Sequence, residues 1–205
     1  PPVDRRDFSI IYGLENTLTN MRLLSDLTRI AAAITALYTF YIGHTGDAFI
    51  ILAIAVGTLG FKLRRHILIE ASREADRWEF AITLLFTTNV IFVSLGLFYQ
   101  SSFAFFDTLM HFAGGAAVGW WAHLALKRGH ALTLGPMHAL VFIVGAAALL
   151  GICWELFEWA LDNTVGVWYI AQKAQPSLND SMGDLALDVL GGLIAGAVLI
   201  RFRKK

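Results

Sequence analysis

The sequence predicts an all-α fold: a polytopic membrane helix bundle of about six transmembrane helices, preceded by an interfacial N-terminal helix. Three observations predict it. Of 205 residues, 57% are hydrophobic and only 16% are charged, against about 25% charge in a soluble domain. Mean hydropathy is +0.61, and the apolar residues fall in blocks close to the ~20 residues that a membrane-crossing helix needs. Those blocks lack the period-two alternation of barrel strands.

The first twenty residues contain no apolar run of the kind a signal peptide requires. Ile10, Ile11, Leu14, Leu18 and Leu23 instead form a helical stripe between Arg and Asp residues, as in a helix lying at the membrane surface. Residues 1–26 are therefore expected to form a cytoplasmic or interfacial arm, which would also suit contact with another subunit. Residues 27–99 hold three candidate spans, Leu27–Gly43, Ala48–Leu63 and Phe80–Tyr99. The second is short and relies on Lys62, Arg64 and Arg65 reaching the interface. Residues 100–205 hold three more, Phe103–Leu126, Met137–Leu161 and Met182–Phe202.

Basic residues cluster before the first span, between the second and third, after the fourth and after the sixth. Among the alternate connections (His44–Asp47, Gln100–Ser102 and Asp162–Ser181), Lys173 is the only Lys or Arg. The positive-inside rule then predicts an inner (cytoplasmic) membrane protein with both termini in the cytoplasm. The formal net charge is zero, so nothing recommends nucleic acid as a partner; membrane lipids and other membrane subunits are the expected ones. One cysteine, Cys153, excludes an intrachain disulfide and a cysteine-based zinc site, and reads as a buried structural thiol.

Ionisable groups inside hydrocarbon are costly and mark function by default. Spans one to three contain almost none. Span four carries Asp107 and His111, span five carries Glu155 and Glu158 with Asp162 at its end, and Asp184 and Asp188 follow Asp180 in span six. With the predicted orientation, all lie within roughly 12 Å of the outer boundary at 1.5 Å per residue. Two rows at four-residue spacing match: Asp107, His111, Gly115, Gly119 and Asp184, Asp188, Gly192, Gly196. Small residues let membrane helices approach closely, so spans four and six are expected to pack through their glycines.

Carboxylates this dense cannot all stay ionised in lipid without a cation, a solvated cavity or protons. No Lys or Arg shares their layer in spans four to six. A divalent metal ion would hold them, with Asp107, His111, Glu155, Asp184 and Asp188 as candidate ligands; oxygen donors with one imidazole suit Mg, Mn, Fe or Zn alike. His111, Glu155 and Glu158 are the candidate catalytic groups for metal-assisted hydrolysis or transfer on a lipid-linked or envelope substrate. Two other readings stand beside this one. In one, the acids form a hydrogen-bonded structural network with Trp154, Trp159 and Asn179, as in a non-catalytic accessory subunit; in the other, they form a proton pathway. A pathway finds no polar continuation toward the cytoplasm; His123 and His138 read as interfacial, and the Trp120–Trp121 pair as facing lipid or packing seams.

Three segments carry a family resemblance. FDTLMHFAGG, with Asp107, His111 and Phe112; WELFEW, with Trp154, Glu155, Glu158 and Trp159; and NDSMGDLALDVLGGLIAG, with Asp180, Ser181, Asp184, Asp188 and Gly191, resemble in order and combination the YjdF-type membrane proteins, and more distantly the VanZ-like proteins. Thr108 and Asp188 stand where VanZ-like proteins commonly have Lys and Asn, placing the chain nearer the YjdF pattern. The resemblance implies a multi-helix bacterial inner-membrane protein and little mechanism.

Overall fold

The structure, a computed structural model, describes residues 5–43, 48, 51–60, 73–95, 97, 105–128, 134–164, 175 and 177–202. The side chains of the N-terminal stripe before Leu23 lie outside the described residues. So do Lys62, Arg64 and Arg65, His44, His66 and His130, and the loop residues Gln100–Ser102, Trp168, Tyr169, Lys173 and Pro176.

Six helices make up the described residues: α1 (Arg5–Tyr41), α2 (Ile51–Gly60), α3 (Arg73–Ser94), α4 (Phe105–Arg128), α5 (Pro136–Thr164) and α6 (Leu178–Phe202). Their ends follow local chemistry. Ile42 N–H donates to the carbonyl of Tyr38, and Gly43, at φ 94°, turns the chain out of α1, a conformation that only glycine adopts cheaply. Pro136 opens α5, where its missing N–H costs nothing. Ser177 Oγ accepts from the backbone N–H of Asp180 at 3.1 Å and so caps α6. Asp107 in the first turn of α4 and Lys127 and Arg128 in its last oppose the helix dipole favourably.

Among the described residues, three helices are long and apolar enough to cross a membrane: Asn20–Tyr41 within α1, Pro136–Asn163 within α5 and Leu178–Arg201 within α6. α2 is apolar but short. α3 and α4 have 22 and 24 residues, and their charged ends and the Asp107–His111 step dilute their apolar character. The arm and the first span are continuous in backbone: α1 runs 37 residues without a break, about 55 Å, well beyond a hydrocarbon core of about 30 Å.

α4 and α6 form the most extensive helix pair, followed by α5 with α6 and α1 with α3; α4 links the two groups through α3. Ala36, Ile51 and Val90 join α1, α2 and α3, while Trp78, Ile82, Ala117 and Leu124 join α3 to α4. Ala122, Leu126, Ala139 and Ile143 join α4 to α5, with Ile200 of α6 packed against them. Trp120 and Trp121 pack against these cores, and the Trp78 indole N–H donates to the Ala117 carbonyl at 2.8 Å. Large apolar side chains such as Leu37, Val141 and Leu149 point outward, as in a bundle whose solvent is lipid.

The glycine seam joins α4 and α6 through Gly115 and Gly119 as expected, but on α6 it uses Gly191 and Gly192, while Gly196, expected in the same row, lies against Leu140 and Ile143 of α5. A Cβ on Gly115 would run into the carbonyl of Asp188, one on Gly191 into the carbonyl of Phe112, and one on Gly119 would meet Gly192 Cα at 3.3 Å. The polar content of the first half differs from the sequence reading. Arg29 is buried, its Nη2 lying 2.8 Å from Glu79 Oε1 and 3.0 Å from the carbonyl of Thr58, and its Nη1 lies 3.0 Å from Asp26 Oδ1. Arg22 Nε meets both oxygens of buried Asp76 at 3.3 Å. These bonds tie α1 to α2 and α3. His123 is also buried, while His138 is exposed.

Two outcomes follow from this packing. Gly115→Ala forces α4 and α6 apart and should lower the thermal midpoint in detergent by about 5–10 °C; Gly145→Ala, with open space around its Cβ, should not lower it. Glu79→Ala leaves a buried guanidinium short of its partner and should cost ~3–5 kcal/mol. Glu74→Ala breaks the exposed 2.7 Å pair with Lys127 and should cost under about 1 kcal/mol in the same unfolding titration.

Candidate metal centre

Three helix ends converge on His111. It is buried on the first turns of α4, beside the last turns of α5 and the first turns of α6. The glycine seam sets that convergence, because His111 lies one turn before Gly115 and Asp188 supplies the carbonyl that Gly115 touches. His111 Nε2 faces three carboxylates: Asp107 Oδ1 at 3.7 Å, Glu155 Oε1 at 3.9 Å and Asp184 Oδ2 at 3.9 Å. His111 Nδ1 faces a fourth, Asp188 Oδ2, at 3.3 Å. An imidazole that donates its Nδ1–H to Asp188 therefore presents the Nε2 lone pair to the other three acids.

Donor atoms of Asp107, His111 and Asp184 lie within 4.8 Å of one another, and so do those of His111, Glu155 and Glu158. A cation holding N and O ligands at about 2.0–2.2 Å spaces opposite ligands about 4.0–4.4 Å apart, so either group could close on an ion by small side-chain movements. Glu155 supplies an independent sign. It is 6% exposed, and its Oε1, the oxygen nearest His111, has no hydrogen-bond partner. A buried, unpaired carboxylate oxygen is expensive, and a cation between Glu155 and His111 would satisfy it.

Of the sequence-predicted residues, Asp107, Glu155 and Asp184 meet around His111 Nε2, Glu158 joins His111 and Glu155 in the second donor group, and Asp188 stands on the other side of the ring. Glu158 is half-buried one turn beyond Glu155. Asp162 and Asp180 fall outside the two donor groups.

Two residues of the site escaped sequence reasoning. The Gln175 side-chain amide donates to Glu155 Oε2 at 2.6 Å and to the Glu155 carbonyl at 2.7 Å, and its backbone N–H donates to Asp162 Oδ2 at 2.9 Å. Gln175 thereby closes the C-terminal end of α5, and as a loop glutamine it carries no pattern that would single it out. Gly151 is the other: a Cβ there would lie 2.5 Å from Asp188 Oδ2, so its bareness makes room for the carboxylate that orients His111. Cys153, expected to be buried, is exposed.

Fold and site together define an α-helical membrane protein with a buried carboxylate–imidazole centre shared by three helices. The chain belongs to the family described as "Predicted membrane protein (DUF2238)", which it matches over residues 24–205; the YjdF-type proteins fall in that family. No curated protein and no solved structure matches the chain.

Removing the loop contact tests the geometry. Gln175→Ala strips two hydrogen bonds from Glu155 and should cost ~1–3 kcal/mol of stability, read by thermal unfolding in detergent. Gln175→Glu, which sets a third acid against Glu155 and Asp162, should cost at least as much.

Proposed function

We propose that this is a multi-pass protein of the bacterial inner membrane whose centre around His111 binds a divalent metal ion at the outer leaflet and performs hydrolysis or transfer on a lipid-linked or envelope substrate. The observation that carries the reading is the unpaired Oε1 of Glu155, buried and aimed at the Nε2 face of His111. Among the described residues, the other buried atoms without a partner, Arg29 Nε and Arg128 Nη1, are donors on cations; Glu155 Oε1 is an acceptor among further acids, the one that a bound cation would satisfy.

His111, Asp107, Asp184 and Glu155 would hold the ion. Asp188 takes a different part: it accepts from Nδ1–H and so orients the ring and raises the basicity of Nε2, as carboxylates behind metal-binding histidines do. When bound, the ion would polarise a scissile ester or anhydride and acidify a water molecule. Glu158, on the rim and not needed as a ligand in the Asp107–His111–Asp184 set, is the group placed to accept a proton from that water. With the termini in the cytoplasm, as the distribution of basic loops supports, the centre faces the outside and receives substrates from that leaflet.

Elemental analysis and titration of the purified protein with Mn²⁺ and Zn²⁺ test the proposal. One ion per chain is expected. His111→Ala should abolish uptake, and Asp188→Asn should weaken affinity about 10–100-fold. Affinity should fall as pH falls, since the ligands must be deprotonated to bind. Absence of bound metal in the wild type, with the two variants merely less stable, would establish a structural network instead.

A further inference from the structure

Beside the centre lies a cavity of about 550 Å³, within the range of small-molecule sites. α4 forms its floor. α3 and α5 form its walls, since both pack on α4 but hardly on each other, and Ile54 of α2 contributes to the lining. Each helix presents a single face to it: Met110, Gly114, Val118 and Trp121 from α4 recur at helical spacing. Corresponding stretches run from Trp78 to Asn89 on α3 and from Ala147 to Phe157 on α5.

Two features say what fits. Apart from the Cys153 thiol, the lining is apolar except at Asn89, His111 and Asp188, and the imidazole and the carboxylate belong to the centre already described. The cavity therefore has a polar mouth at the centre and an apolar body leading away from it. Its body follows α4 from Met110 to Trp121, eleven residues or about 16 Å along the helix. That is close to half of a ~30 Å hydrocarbon core, the depth of one leaflet. At the far end stand Trp78, held by its bond to the Ala117 carbonyl, and Trp121, packed into both neighbouring cores. Near the mouth, Phe86 and Trp154 approach with ring centroids 6.1 Å apart, and Phe157 stands 5.5 Å from Trp154.

We propose that this cavity binds the hydrocarbon chain of the substrate, a membrane lipid with an anionic head group, so that its head reaches His111 while its chain lies between α3 and α5. The inference rests on the reading of the centre as one that acts on lipid. The body excludes a polar substrate, because burying polar groups against Ile82, Leu85 and Val118 would leave them unpaired. An anionic head suits the mouth through direct coordination: a divalent ion held there by Asp107, Glu155 and Asp184 would bind a phosphate oxygen as a further ligand.

The test uses the full chain in phosphatidylcholine nanodiscs with hexadecyl phosphate bearing a diazirine in its chain. After irradiation, peptide mass spectrometry should find adducts on Ile82, Phe86 and Met110 at least fivefold above those on Leu37 and Val141, which are 71% and 65% exposed and report the surrounding bilayer. Excess unlabelled hexadecyl phosphate should remove the excess adducts and leave those on Leu37 and Val141. Val118→Trp, or Leu85→Trp should the first not fold, should bring cavity labelling down to bilayer level while metal uptake persists. Adducts spread evenly over cavity and outer faces in the wild type would overturn the proposal. Metal titration of the same sample separates the two readings. Selective labelling without metal binding removes the metal centre and keeps the chain site; metal binding with even labelling removes the chain site alone.

Discussion

α4 and α6 meet backbone to backbone, at Gly115 and Gly119 on one helix and Gly191 and Gly192 on the other. Helices separated by ordinary side chains stand 8–10 Å apart, and an aspartate is too short to cross such a gap to a histidine and still leave room for a second ring of acids. Here Asp184 and Asp188 reach His111 from a neighbouring helix because no side chain holds the two backbones apart. α5 joins the pair by the same device, Gly151 leaving the space that the Asp188 carboxylate occupies. The polar centre is thus a consequence of a small-residue seam, and whatever widens the seam disperses the centre.

Buried charge is handled in two different ways at the two ends of the bundle. Near the start of α3 and the end of α4, Asp76 and Glu79 meet Arg22 and Arg29, and Glu74 meets Lys127. Each acid there faces a permanent cation, which is what a low-dielectric interior demands. About 24 Å away along α4, the acids around His111 face one another and a single imidazole. The first arrangement matches each acid with a cation and fastens α1 to α3, although Arg29 Nε has no hydrogen-bond partner. The second gathers acids without a permanent cation, and the atom left unpaired at its middle, Glu155 Oε1, is an acceptor that a cation would satisfy.

α4 connects these features because each of its faces does something different. Its glycine face seats α6, the carbonyl of Ala117 receives Trp78 of α3, and the Met110–Val118 face floors the cavity. Its first turns carry Asp107 and His111, which explains why it is less apolar than α5 or α6 although it lies among them. A helix surrounded by protein on several sides does not need the uniformly apolar surface that lipid imposes.

The all-helical membrane fold was legible from the apolar blocks and the charge deficit, since hydrocarbon tolerates few other structures. Four-residue spacing was enough to place Asp107 and His111 above Gly115 and Gly119, and Asp184 and Asp188 above Gly192 and Gly196, because helical periodicity is local. Relations between distant segments were not legible. Periodicity cannot say that Asp188 approaches Nδ1 while Asp107, Glu155 and Asp184 gather at Nε2, that Gln175 folds back onto Glu155, or that Arg29 is buried against Glu79 and not left at an interface. It is equally silent on the cavity, which exists because α3 and α5 both prefer α4 to each other. The sequence by itself determined which residues lie on which face and at which end of each helix, through spacings of three and four. Only the tertiary structure decided which faces meet and which atom of His111 each acid addresses, because those depend on close backbone contact between segments up to 77 residues apart.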